Sequence, residues 1–306
     1  MTNNHPGPQD ACAAAPSQGS AEGRGEETLL AEIDRCIDEL DVGFDFEVLN
    51  VLDDEESTPA MIEALKDKLG TMVAARLFSI ANSVHFGKTR SGKITRFMEA
   101  VNHLGTRITK STAIFIALHA LATTEEIHVV FARCFATSKL TEAIAQKLGL
   151  PDTDRVTASL GGLFIEIGKA IMLMLCHKQG TKLDAEFIER HYPAVNRKVI
   201  EKFVLPEALI EIVTRPPFRF VKKDSLALSA VVDMAHAVVE ASFRKHGKLV
   251  VQSSMPDVEG IIYTSTAGSS LVEQFQIIGL GAYLKVIPSE WTDVEKRLLE
   301  KHGTQA

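Results

Sequence analysis

The sequence predicts an all-α protein, and three observations carry that reading. Apolar residues recur at helical spacing from Thr28 almost to the C-terminus. Strict alternation is confined to short pieces near Leu249–Val251 and Ile261–Tyr263. Aromatic residues make up only 6%, with 1 Trp, which tilts away from an all-β barrel. With 306 residues and 45% hydrophobic content, the chain can bury a substantial core as one large domain or two small ones.

The elements follow in order. Leu29, Ile33, Cys36, Ile37 and Leu40 form one apolar helical face, with Thr28 as the expected N-cap. Thr58-Pro59 reads as a cap followed by a first-turn proline, and Gly70 ends that helix. Val73, Leu77, Ile80 and Ala81 mark a further helix ending near Ser83. Phe97, Val101 and Leu104 make a short helix stopped by Gly105. Longer helices fit Ile108 to Ala122 and Val129 to Leu148, the second stopped by Gly149. Apolar helical segments then cover about 154–177, 184–191, 195–203, 206–214 and 224–245. Residues 253–257 suggest a linker or turn, and Val272, Phe275, Ile278 and Tyr283 suggest one more helix. The expected organisation is a disordered tail over 1–27, a helical domain over 28–246 and a partly helical extension over 247–306.

Residues 1–27 contain no Leu, Ile, Val, Phe, Tyr or Trp, and their four acids face a single Arg. Such a segment cannot bury enough apolar area to offset its ordering entropy, so it is expected to be disordered. The formal charge of -7 disfavours general nucleic-acid binding, which needs surplus cations to release phosphate counterions. The opening MTNNHPGPQD has neither the basic nor the apolar region of a secretory signal. The Ser111–Thr124 stretch, free of Lys, Arg, Asp and Glu, is too short to span a bilayer. The four cysteines show no C-x-x-C spacing, so reduced thiols in a cytoplasmic protein, without a membrane role, are expected.

Several tempting motifs fail on spacing. Gly162 to Lys169 has five residues between its glycines where a phosphate loop has four, and Ala170 stands where Ser or Thr would hold magnesium. Gly279-Leu-Gly281 lacks the third glycine of a dinucleotide loop. Glu-Ala-Leu occurs at 63–65 and 207–209, but these are common helix formers. Ten histidines include no His-Asp, His-Glu or His-His pair and no H-E-x-x-H. No metal, cofactor or catalytic residue is therefore expected.

Four segments taken together are more informative. Ala81-Asn82-Ser83-Val84-His85-Phe86-Gly87 precedes Glu99-Ala100-Val101-Asn102-His103-Leu104-Gly105. Later come Gly162-Leu163-Phe164-Ile165-Glu166-Ile167-Gly168-Lys169 and Val199 to Glu207. In this order they resemble the HDOD family over roughly residues 42 to 245. The resemblance implies a helical bundle of two packed lobes, related to HD-domain metal phosphohydrolases and found in bacterial signalling proteins. It implies a regulatory, protein-binding role. Ile165 and Glu166 stand where the His-Asp pair of the hydrolases would be, and Tyr192 sits about where a later histidine occurs, with His191 adjacent. Arg215-Pro216-Pro217 replaces a region that often carries two histidines.

These departures set the candidate residues. Asn82 and Ser83 are expected to end a helix, Asn tolerating the left-handed conformation. Glu166 is expected to be an ion-pair or hydrogen-bond anchor, with Lys169 at i+3 as its partner if the helix continues through Gly168, the alternative being a ligand contact. His191 is a candidate beside the same centre. Lys88, Arg90, Lys93 and Arg96 form an acid-free basic loop that could be a solvated surface or could dock an acidic partner or an anion. The expected function is a non-enzymatic bacterial signalling module that binds a protein partner. The alternatives are an atypical metal-dependent phosphohydrolase and a sensor of an anionic or nucleotide ligand in the cleft between the lobes.

Overall fold

The computed structural model describes residues 19–83, 92–214, 228–252, 262–263 and 268–287. Twelve α-helices dominate these residues: α1 (Gly19–Asp38), α2 (Pro59–Lys68), α3 (Gly70–Ala81), α4 (Phe97–Leu104), α5 (Thr106–Ala120), α6 (Glu125–Lys147), α7 (Asp152–Phe164), α8 (Ile167–Gln179), α9 (Ala185–Lys202), α10 (Ala208–Val213), α11 (Leu228–His246) and α12 (Gly268–Ile278). A 3-10 helix, η1, spans Phe46–Leu52. The fold is the expected all-α bundle. Local chemistry sets many of its boundaries. Thr58 accepts a hydrogen bond from the Met61 N–H with Pro59 in the first turn, and Thr124 caps α6 through the Ile127 N–H. Gly70, Gly105 and Gly149 hold positive φ angles where one helix gives way to the next.

Helices α2–α5 and η1 pack as one group, and α6–α11 form the other, with α1 lying across α8 and α9. One hydrophobic core runs through both groups, from Leu65 and Leu77 through Phe115 to Phe164, Ile171 and Phe203. Edge-on ring contacts join the parts. Phe115 meets Phe131 at 5.3 Å, and Phe46 of η1 meets Phe203 at 5.2 Å. At the C-terminal end, β1 (Leu249–Gln252), β2 (Ile262–Tyr263) and β3 (Leu284–Ile287) form a parallel sheet in the order β2-β1-β3. Parallel strands need a crossover, and α12 supplies it between β2 and β3.

Several expectations need correction. The first helix begins at Gly19 rather than Thr28, so residues 19–27 of the expected tail are helical, while 1–18 lie outside the described residues. The extension carries no apolar anchors to signal it. It propagates from an already nucleated helix through the good helix formers Glu26 and Glu27. The segment 154–177 is not one helix, because Ile165 and Glu166 separate α7 from α8. Conversely, 184–191 and 195–203 belong to the single helix α9, which keeps Pro193 inside it. The lost hydrogen bond is outweighed by the buried face of Tyr192, Val195, Asn196, Val199 and Ile200. The C-terminal helix stops at Ile278, and Tyr283 falls in a 3-10 turn. The four residues of β3 were too few to show a period.

One helical stretch, Asp152–Gln179, is long and apolar enough to cross a membrane by length and composition. Of its most apolar window, 83% is buried inside the bundle, which is how a core helix behaves. Cys36, Cys134 and Cys176 are unpaired thiols.

Candidate functional site

The break between α7 and α8 is where the chemistry gathers. Two glycines upstream let the helices approach. A Cβ on Gly162 would lie 2.8 Å from Ser138 Cα of α6, and one on Gly161 would meet Ile212 Cγ2 at 2.6 Å. Past the break, a Cβ on Gly168 would lie 2.4 Å from the Tyr192 carbonyl oxygen. Asn196 of α9 then ties the break down. Its Oδ1 accepts from the Gly168 N–H at 2.6 Å, and its Nδ2 donates to the Ile165 and Val213 carbonyls at 2.8 and 3.0 Å. A fully buried side-chain amide thus satisfies two backbone groups at the break and the Val213 carbonyl at the end of α10.

Glu166 sits at this break, 1% exposed. Arg133 of α6 grips it as a fork, Nε to Oε2 and Nη2 to Oε1, both at 2.7 Å. Lys169 Nζ lies 2.7 Å from Oε1, as the i+3 spacing predicts. The same Nζ bonds Glu189 Oε1 at 2.6 Å and stands 4.4 Å from the centre of the Tyr192 ring. His236 of α11 brings Nε2 to 3.3 Å from Oε1 without hydrogen-bond alignment. Burial pushes the Glu166 carboxyl up, but His236, Arg133 and Lys169 outweigh it and hold the group ionised, well below the usual carboxylate range. Around it, burial first and the Glu166 charge second push the Cys134 thiol up to about 12 and raise the Tyr192 phenol. Both stay protonated at neutral pH.

This arrangement anchors a buried charge and does not suit a divalent ion. Ile165 offers no ligand atom. The one central carboxylate already has two permanent cations within 2.7 Å, and a metal would have to enter against both. Among the described residues, no group of three or more His, Cys, Asp or Glu is placed to hold a metal.

The other expected residues lie apart from this centre. His191 faces α1, where its Nε2 is 2.7 Å from Glu26 Oε1. Its neighbour Tyr192 is the α9 residue that turns toward Lys169. Asn82 ends α3 in the ordinary right-handed region (φ -91°), not the left-handed one. It needs no unusual backbone because its side chain does the work. Oδ1 accepts from the Ile94 N–H at 2.8 Å, while Nδ2 donates to the Ile94 and Phe78 carbonyls at 3.0 and 2.9 Å. Asn82 therefore clamps the two ends of the basic loop. Ser83 is buried beside it. Lys93 and Arg96 are exposed, and Lys88 and Arg90 lie outside the described residues.

Arg133, His236 and Asn196 were not foreseen. No local pattern marks them, since each reaches the break from a different helix. A surface groove of about 530 Å³, lined by Arg197, Glu207, Ile210, Glu211 and Thr214, presents two carboxylates against one guanidinium, which does not favour a phosphate.

Comparison with known proteins agrees with this architecture. Residues 44–214 match the HDOD domain family. The chain shares its fold with a Shewanella amazonensis protein provisionally named a metal-dependent phosphohydrolase, at TM-score 0.55 and 17% identity, covering 86% of this chain and 99% of that one. It also resembles an HDOD domain protein of unknown function from Geobacter sulfurreducens, at TM-score 0.50 and 16% identity, covering 85% and 89%. No curated protein matches the chain significantly.

Proposed function

The chain belongs to the HDOD domain family, and from that premise we propose that it is a regulatory module of a bacterial signalling pathway that acts by binding a protein partner rather than by catalysis. One observation carries the reading. Glu166, which by the resemblance stands where the HD hydrolases carry their Asp, is held by Arg133 and Lys169, and this supports a role for the cluster in bracing the α7–α8 break. Held between two cations, the Glu166 carboxylate is poorly suited to activate water or to ligate a metal. Output then passes through the surface. The exposed cations Lys93 and Arg96, at the end of the loop that Asn82 clamps, suit an acidic partner. A cytoplasmic location is part of this proposal, as is a division into a helical domain ending near residue 246 and a C-terminal extension.

The test is direct. The purified protein, incubated with manganese, iron or zinc, is expected to release no product from phosphomonoesters, phosphodiesters or cyclic nucleotides. Metal-stimulated hydrolysis that disappears in Glu166→Gln would replace this reading with a hydrolase.

A further inference from the structure

A second polar cluster lies outside the Glu166 centre, under α12. This helix covers the face formed by α3, α5 and α6. Phe275 and Ile278 are fully buried against the bundle, and Phe275 meets Phe135 of α6 edge-on at 5.0 Å. Inside this apolar contact lie three nitrogen-bearing side chains. His119 of α5, 5% exposed, brings Nε2 to 3.0 Å from His128 Nδ1 of α6. Its Nδ1 is buried and makes no well-aligned hydrogen bond among the described residues, the Ile278 backbone of α12 being the polar group beside the ring. Arg76 of α3 also buries Nη1 without a partner. Its guanidinium lies against the turn that ends α12, so close that a Cβ on Gly279 would meet Nη2 at 3.1 Å. Phe131 fills the remaining side of the His119 ring at 5.1 Å.

We propose that α12 is a proton-sensitive cover on the α3–α5–α6 face, latched while the His119 ring is neutral and released when that ring takes up a proton. In the closed state one imidazole donates to the other across the 3.0 Å contact, so a proton added to the His119 ring places a positive charge inside the apolar contact, beside the Arg76 guanidinium. The charged groups that face His119 are Arg76 from α3 and His128 from α6, while α12 contributes the Ile278 backbone at its C-terminal end. Both charged neighbours repel an imidazolium. Burial, then His128, then Arg76 push the His119 ring down to about 4, the Ile278 backbone offsetting only part of this. The sign follows. The covered state holds His119 neutral, so its stability is complete above the unfolded value of about 6.5 and falls as pH drops toward 4.

Hydrogen exchange on the full chain, corrected for the intrinsic pH dependence of amide exchange, reads the cover directly. The opening constant of α12 should rise up to about tenfold per pH unit below about 6.5, while α7 amides keep their protection. His119→Leu should abolish this slope. Arg76→Met removes a half-buried cation whose Nη1 has no partner, so α12 should be better protected at pH 7.5 and lose less on acidification. This second variant carries the test if His119→Leu fails to fold. A pH-independent α12 opening constant in the wild type, or a wild-type slope in Arg76→Met, would overturn the proposal.

Discussion

Two polar clusters inside the bundle are treated in opposite ways. At the α7–α8 break, Glu166 is surrounded by partners, both of its oxygens are bonded, and the break itself is closed by Asn196. Under α12, Arg76 and His119 are packed into an apolar contact with donor atoms left over. The first is a brace that gains from staying shut. The second taxes its own closed state, because an unsatisfied buried polar group costs about 1–3 kcal/mol. Polar groups under packed helices thus mark a permanent joint in one region and a loose one in the other. What separates them is whether the charge has an opposite within reach.

The sharpest break in this comparison is Glu166→Ala. It leaves Arg133 without its anion and Lys169 with Glu189 alone, and removing one side of a buried pair typically costs about 3–5 kcal/mol. Denaturant unfolding should show a loss of that size, whereas Arg76→Met at the other cluster should be neutral or stabilising. The pH dependence separates the two regions further. The folded-state pKa of Glu166 is depressed, so its contribution is complete above about 4.5, its unfolded value, and declines only as pH falls below that. The brace should outlast the α12 contact on acidification. Equal losses in Glu166→Ala and Arg76→Met would erase the distinction.

Asn196→Ala comes next. It deprives the Gly168 N–H and the Ile165 and Val213 carbonyls of their partner in a site closed to water. A loss of about 3 kcal/mol is expected. Asn196→Asp should cost a similar amount, because it keeps the acceptor for Gly168 but turns oxygen toward two carbonyls. Tolerance of Asn196→Asp would mean that the carbonyls do not depend on Nδ2.

These two residues also show what a sequence can disclose. Glu166 and Lys169 are three positions apart, so helical geometry alone pairs them. Arg133, Asn196 and His236 lie 30 or more positions from Glu166, and only the packed fold selects them. The same limit governs the elements. Thr58-Pro59, Gly105 and Gly149 are local signals, and the helices stop or start where they say. Pro193 is equally local but misleads, because tertiary burial of Tyr192 and Asn196 overrides it. Asn82 was legible as a helix end but not as a clamp, since its partner Ile94 becomes adjacent only once the loop closes.

A smaller effect is expected where that loop enters α4. Arg96 occupies the N-cap position without capping through its side chain, and Glu63 of α2 supplies the missing acceptors. Its oxygens take the Phe97 and Met98 N–H groups at 3.1 and 2.9 Å. Against the upward push of partial burial, these two bonds, with Lys66 and Arg96, hold the carboxyl below its usual range. Glu63→Ala should cost about 1 kcal/mol, as loss of a cap does. Because the pKa is depressed on folding, this contribution should be present at neutral pH and fade as pH falls below about 4.5. A variant with wild-type stability at pH 7 would show that the α4 N-terminus is satisfied by solvent.

The smallest effect on stability, and the largest on binding, is expected from reversing the basic loop. Arg96 is unsuitable for this, because it sits beside the Glu63 cap and its reversal would disturb α4. Lys93 is exposed and carries no such duty, and the triple variant of Lys88→Glu, Arg90→Glu and Lys93→Glu reverses the charge of the acid-free run. Its melting temperature should match the wild type, since exposed charges contribute little to folding. Its association with an acidic partner should slow, because steering depends on long-range attraction. Wild-type binding should weaken steeply as ionic strength rises and the Debye length shrinks, and the reversed variant should show a flatter dependence. Identical affinity and identical salt slope in the two proteins would remove this loop from the interface. Attention would then pass to the exposed apolar residues Met234 and Val238, one turn apart on α11.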